Sequence, residues 1–189
     1  MSEDLSRLRD AELVVLAQNG SATAFEAIYD RHAGGVARAL SSFAGPDHEL
    51  LDDLVQDVFL RVVGGLSSYR PSHPFSNWLY TIALNVGRNH ARRGLLVVPV
   101  NPTDIEDMAG SHQPSDPATA VTLARMVARL PAAMREVVSL RAGAEMSFGE
   151  IAETLGIPEG TARSRMHNAV RILRDRFGAG EKRRSTTSD

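Results

Sequence analysis

The chain has 189 residues, 43% of them hydrophobic, and a formal net charge of -2. That length suits one medium domain or two small ones, and the hydrophobic share excludes wholesale disorder. There is no cysteine, which excludes disulfides, thiolate metal sites and thiol catalysis within the chain.

No apolar run approaches the ~20 residues that span a bilayer, so no direct membrane insertion is expected. The opening MSEDLSRLRD lacks the hydrophobic core of a signal peptide, and a cytoplasmic location is the expectation. The small net charge hides an asymmetry. Residues 1–93 hold 9 Lys/Arg against 11 Asp/Glu, residues 94–118 hold 4 acidic residues and no basic one, and residues 119–189 hold 12 basic against 8 acidic. A polyanion partner is therefore most plausible at the C-terminal third. Lys182 is the only lysine. Arginine's planar fork suits phosphates and guanine edges, although a bias toward arginine codons gives the same composition.

Helical periodicity dominates, and strand-like alternation is nearly absent. The segment DAELVVLAQNG predicts a short amphipathic helix that stops near Asn19-Gly20. Ser21 is placed to cap a second helix through AFEAIYDRHAGGVARAL, weakened by Gly34-Gly35 and ended by Gly45-Pro46. A third helix starts near Asp47. Its Leu50, Leu51, Leu54, Val55, Val58, Phe59, Val62 and Val63 recur at the spacing of one buried stripe, and Gly64-Gly65 closes it. After the turn-rich loop SSYRPSHP, a fourth helix is predicted from about Phe75 to Arg93.

Residues 94–118 change character, with Pro99, Pro102, Pro114 and Pro117 among Asp104, Glu106, Asp107 and Asp116. They read as an extended linker in which Leu95-Leu96-Val97-Val98 can form a short strand. Helices resume over about Ala118–Arg129 and from Pro131 to Arg141. The expected organisation is an all-α chain: a helical domain over 1–93, the acidic, Pro-rich linker over 94–118, a second helical domain over 119–178, and a disordered tail over 179–189.

The most specific local signal lies in SFGEIAETLGIPEGTARSRMHNAVRILRDRF. Ser147 and Glu150 form a capping box, and Phe148, Ile151, Ala152 and Leu155 make one buried face. Gly156 can take the left-handed conformation of a tight turn, Ile157 can plug the core, and Pro158-Glu159 open a new helix. A short helix, a glycine turn and a second helix match a DNA-binding helix-turn-helix. At about 100° per residue, Ala162, Met166, Ala169, Val170, Leu173 and Phe177 fall inward. Thr161, Ser164, His167, Asn168 and Arg171 fall outward, with Arg163 and Arg165 on the shoulders. That polar, basic, small face suits the major groove, and a solvated face of an ordinary hairpin would look similar.

In this order and spacing the segments resemble the extracytoplasmic-function sigma factors, the smallest bacterial sigma factors. The resemblance covers nearly all of residues 10–177. It rests on AFEAIYDRH, on DLVQDVFLRV at Asp53–Val62, on PFSNWLYTIALN at Pro74–Asn85, on LPAAMREVVSLR at Leu130–Arg141, and on the helix-turn-helix. It implies two helical domains, sigma regions 2 and 4, with no middle domain. It implies work without catalysis or cofactor: the chain binds core RNA polymerase through the β′ clamp and β flap. Its domains contact the -10 and -35 promoter elements, and an anti-sigma factor controls it.

By the same resemblance, Asp52, Asp53, Gln56, Asp57 and Arg61 face the polymerase clamp, where acidic groups can pair with basic ones. Asn85 faces the captured -10 base, Tyr69 in the loop Ser67–Pro74 lies beside it, and Arg88, Arg92 and Arg93 hold phosphates. Trp78, among Leu79 and Ile82, reads as core rather than as a stacking platform. The acidic linker threads the polymerase cleft or serves as a simple tether. Thr81 and Asn168 stand where many relatives carry arginine, and Ala162 where valine is commoner.

Three rival classes are weaker. His32, His48, His73, His90, His112 and His167 never share i,i+3 or i,i+4 spacing, and neither HExxH nor a glycine-rich phosphate loop occurs, so an enzyme or metal site is poorly supported and no small-molecule substrate is expected. A one-component DNA-binding regulator explains residues 147–177 and leaves the first domain unused. A sigma-like mimic that only binds an anti-sigma factor would not need Asn85 or the recognition helix.

Overall fold

The computed structural model describes residues 5–45, 47–71, 73–95, 123 and 125–184. Among these residues every regular element is helical. A single turn at Leu5–Arg7 leads into α1, Asp10–Gln18. Glu12 reaches back to accept the Arg9 backbone N–H at 2.7 Å, satisfying an otherwise open donor at the helix start. Ser21 caps α2, Ala22–Ala44, by accepting the Ala24 N–H at 3.2 Å. The helix runs unbroken through Gly34-Gly35. Gly35 is buried there because a Cβ would overlap the Tyr80 hydroxyl, so the predicted weak point is a close crossing of two helices.

Asp47 caps α3, His48–Leu66, as its sequence position suggests. The buried stripe is narrower than expected. Leu54, Val55, Val58, Phe59, Val62 and Leu66 are buried, Leu50 and Leu51 are half-buried, and Val63 is 55% exposed. One step of about 100° separates Val62 from Val63, and only Val62 points inward. Gly64-Gly65 does not close the helix, because Gly65 lets the Trp78 ring approach closely and the turn continues to Leu66. The fourth helix, α4, spans Phe75–Leu95. Leu95 is therefore helical, and the proposed strand at 96–98 and the linker at 96–118 lie outside the described residues.

The first core gathers Leu13, Ile28, Val36, Leu40, Val58, Val62, Leu79 and Leu84 from all four helices. Burying each such side chain is worth about 1.5–3 kcal/mol. Polar ties fix the ends. Gln18 Nε2 donates to the carbonyls of Leu66 and Tyr69 at 2.9 and 3.1 Å. Asp10 accepts from Arg31 at 2.7 Å and pairs with His32 Nε2 at 2.9 Å, pinning α1 to α2. His32, first, and Arg31 hold the Asp10 carboxyl below the usual carboxylate range against the opposing effect of burial. A carboxylate depressed in the folded state stabilises above the unfolded value of about 4 and loses that contribution as pH falls through its own lower value. The melting temperature of the natural chain should thus fall toward that of Asp10→Asn on acidification. A gap between the two that stays constant from neutral pH to strong acid would remove this pair from the acid response.

The second domain is smaller. Residues 125–128 make a helical turn. Pro131 stands just before α5, Ala132–Val138, rather than inside its first turn. The predicted run to Arg141 widens into a π turn at Ser139–Gly143. Then come α6, Phe148–Leu155, and α7, Glu159–Arg184. The helix continues into the segment expected to be a disordered tail, as far as Arg184. A second apolar cluster of Val127, Leu130, Val138 and Ala169 supports α7.

The two domains pack on each other: α2 lies against the π turn and α4 against α6. One apolar cluster runs across the junction and includes Val137, Leu140, Met146 and Ile151 of the second domain. The backbones nearly touch, since a Cβ on Gly143 would sit 2.6 Å from the Ala39 nitrogen. Arg38 Nε donates to the Gly143 carbonyl at 2.9 Å, and the buried hydroxyls of Ser42 and Ser139 lie 2.7 Å apart.

Candidate nucleic-acid and polymerase interfaces

The helix-turn-helix is built as its residues dictate. Ser147 Oγ accepts the Glu150 N–H at 3.2 Å while Glu150 accepts the Ser147 N–H at 2.8 Å. The Ser147 hydroxyl, first, and backbone N–H hold the Glu150 carboxyl below its ordinary range. Gly156 takes the left-handed conformation, φ 63 and ψ 39, that swings α7 away from α6. Replacing Ser147 with alanine should cost about 1 kcal/mol of stability. Thermal unfolding of the two chains side by side checks this, and equal midpoints would mean the cap contributes nothing.

Ala162 and Ala169, both fully buried, bring α7 down onto its neighbours. Met166 and Leu173 are half-buried beneath the helix. Val170, expected inward, is 36% exposed because Ala169 takes the inward position one step earlier. Of the outward set, Arg163, Ser164, His167 and Arg171 are exposed, and Thr161, Arg165 and Asn168 are half-buried. Arg163 is held on two sides. It donates to Glu159 at 2.5 Å, and its guanidinium stands 4.8 Å from the centre of the Phe148 ring. Arg141 stands 5.3 Å from the same ring, so two cations lie over Phe148.

On α4, Asn85 is exposed and its Oδ1 accepts from Arg88 at 3.0 Å. Arg88 turns its fork across the domain junction, donating to Glu136 at 2.6 and 2.9 Å. That carboxylate raises the Arg88 guanidinium further above its ordinary value. Arg92 donates to Asn89 at 3.1 Å, and both Arg92 and Arg93 are exposed. Tyr69 is only 6% exposed. It packs edge-on against Phe75 and near Trp78, with its hydroxyl donating to the His73 carbonyl at 2.8 Å. Its ring face is therefore not free for stacking in this conformation, because the aromatic cluster fills the space behind the loop. Trp78, read as core, is half-buried in that cluster.

The acidic face of α3 carries more than the sequence singled out. Asp52, Asp53, Gln56 and Arg61 are exposed, and Asp57, half-buried, receives both Arg61 donors at 2.8 and 3.0 Å. Beside them runs a groove lined by Phe25, Tyr29, Val55, Phe59, Leu60 and Val63 as well as Asp52, Asp53 and Gln56. The Tyr29 and Phe59 rings lie 4.6 Å apart. Tyr29 is 42%, Leu60 65% and Val63 55% exposed, an apolar strip rimmed by carboxylates of the kind that marks a protein-binding surface. Sequence reasoning missed Tyr29 and Leu60. The available signal was Leu60 itself, a large apolar residue off the buried stripe.

Two junction atoms have no hydrogen-bond partner among the described residues. Asn77 donates to Glu153 at 2.9 Å, yet its Oδ1 is buried and unmatched. Arg135 lies 5.0 Å over the Phe43 ring and donates to the Ala128 carbonyl, yet its Nε is buried and unmatched, and burial pulls its guanidinium below the ordinary value. A buried polar group left unpaired costs about 1–3 kcal/mol. Among the described residues no helix is long and apolar enough to cross a membrane.

The arrangement is that of a two-domain transcription factor. Residues 28–94 match the family model "Sigma-70 region 2" and residues 126–175 match "Sigma-70, region 4". The sigma factor CnrH of Cupriavidus metallidurans is 34% identical over 78% of this chain and 84% of its own. The sigma factor CarQ of Myxococcus xanthus is 33% identical over 85% and 93%. The solved structure of CnrH in complex with the cytosolic domain of CnrY superposes with a TM-score of 0.70 at 28% identity, covering 90% of this chain and 97% of that one. The chain belongs to the extracytoplasmic-function sigma factors of RNA polymerase.

Proposed function

We propose that this chain binds core RNA polymerase, carries it to promoters with -10 and -35 elements, and assists their melting. It does so without catalysing a reaction of its own. The observation that carries the reading is the presence, on one chain, of an acidic-rimmed apolar groove on α3 and a capped helix-turn-helix with a basic, small-residue outer face. The groove of the 1–93 domain takes the β′ clamp, through Asp52, Asp53, Gln56, Asp57 and Arg61 together with Leu60 and Val63. The 119–178 domain rests on the β flap and reads the -35 element with Thr161, Arg163, Ser164, Arg165, His167, Asn168 and Arg171. Asn85, Arg88 and Arg92 engage the -10 strand, and Tyr69 backs the loop that walls the captured base.

The acidic, Pro-rich segment that follows α4 serves as the linker between the two domains, and the protein works in the cytoplasm. An anti-sigma factor holds it in reserve, a reading supported by its similarity to CnrH, which is solved with a cytosolic partner domain. The test is run-off transcription with purified core polymerase on genomic fragments. Selective transcripts that depend on the chain are expected. Their absence on every template would overturn the reading.

A further inference from the structure

The last carbonyls of a helix have no partner within it, so each needs a donor from elsewhere. At the end of α3 those donors are side chains. Ser68 Oγ donates to the Gly65 carbonyl at 2.7 Å, and Arg70 Nη1 donates to the carbonyls of Ser67 and Tyr69 at 3.1 Å each. Both come from the loop itself. Gln18 comes from α1. Its Nε2 stands between the Leu66 and Tyr69 carbonyls, at 2.9 and 3.1 Å, and these lie 48 and 51 residues further along the chain. A side-chain amide nitrogen carries two hydrogens, one for each carbonyl.

Both ends of this bridge are anchored. Gln18 is the last residue of α1, whose Leu13 and Val14 are buried in the core and whose Asp10 is tied to Arg31 and His32 of α2. Tyr69 is held at three points: its carbonyl on Gln18, its ring edge-on to Phe75, and its hydroxyl on the His73 carbonyl. Gln18 itself is exposed, so its removal leaves the core untouched and lets water reach the two carbonyls. Water satisfies them but does not hold them in one geometry. A recognition site keeps its selectivity only while its walls stay within about 0.5 Å of the productive arrangement.

We infer that Gln18 is a positioning residue for -10 recognition: its amide, acting through the Tyr69 backbone, fixes the wall of the base pocket and so sets how strictly the captured base is chosen. This rests on the function proposed above, which places that base against the loop.

The test uses holoenzyme assembled from core polymerase and the full chain. A promoter that the natural chain transcribes is given each of the four bases in turn, at every position of its -10 and -35 elements. Run-off transcription then yields the ratio of best to worst base at each position. That ratio is taken within one preparation, so partial unfolding of a variant does not alter it. Gln18→Glu keeps the shape and sets a carboxylate against two carbonyl oxygens. Gln18→Met keeps the length and removes both donors. Each variant should lower the ratio at least about fivefold at the -10 position where the natural chain is most selective, and leave the -35 ratios unchanged. An unchanged -10 ratio in either variant, or a loss spread evenly over both elements, overturns the positioning role while leaving the proposed function in place. A natural chain that gives no selective transcript overturns the proposed function, and this inference with it.

Discussion

Leu60→Asp should abolish stable capture of core polymerase and leave the fold intact. Leu60 is 65% exposed and lines the groove on α3, so its loss removes little from the protein's own core. Surface substitutions of this kind usually change stability by no more than about 0.5 kcal/mol. In the proposed complex the same position would be covered, and an aspartate there would bury a charge in an apolar contact beside Asp53 and Gln56. Central apolar anchors typically carry at least about 2 kcal/mol, a factor of roughly 30 in affinity, and a buried unpaired charge adds to that. Titration of labelled chain with core polymerase, alongside thermal unfolding, separates the two effects. Affinity equal to that of the natural chain would take Leu60 and the groove out of the polymerase interface.

The double variant Arg163→Ala/Arg165→Ala should lose selective binding at the -35 element. Each lost base contact costs about 1–3 kcal/mol, so the pair should weaken the holoenzyme's grip on its promoter by roughly 30-fold to 10⁴-fold. Arg163 is poised by Glu159 and Phe148 and therefore loses little side-chain freedom on docking. The comparison that decides is a cognate promoter against one with a scrambled -35 element. A similar loss on both would mean the arginines hold phosphates, and no loss on either would exclude them from DNA.

Much of this was readable in the residues because local rules and the final packing agree. Asp47 and Ser147 cap helices where their positions predict, and Gly156 turns where only glycine is comfortable. Periodicity failed where an apolar residue had a choice of partner. Val63 and Val170 lie at the edges of their stripes, and spacing alone cannot say whether an edge residue turns to the core or to solvent. Tyr69 reads as a loop residue near a base, but the aromatic cluster of Phe75 and Trp78 draws its ring inward.

The domain junction left almost no trace in the sequence. Glu136 and Arg88 are 48 residues apart and look like ordinary charged positions on helix surfaces. The contact of Gly143 with the Ala39 backbone depends on a π turn that no sequence pattern announces.

Ala162 and Ala169 seat α7 on a firm bed, and they do so entirely from its underside. The residues of its outer face make few ties to that support, so Ser164, His167 and Arg171 can be exchanged without disturbing what holds the helix. On the function proposed above, promoter choice is thereby uncoupled from folding. A descendant of this gene, or an engineer, can redirect it to a new set of targets by rewriting a few letters on one exposed edge.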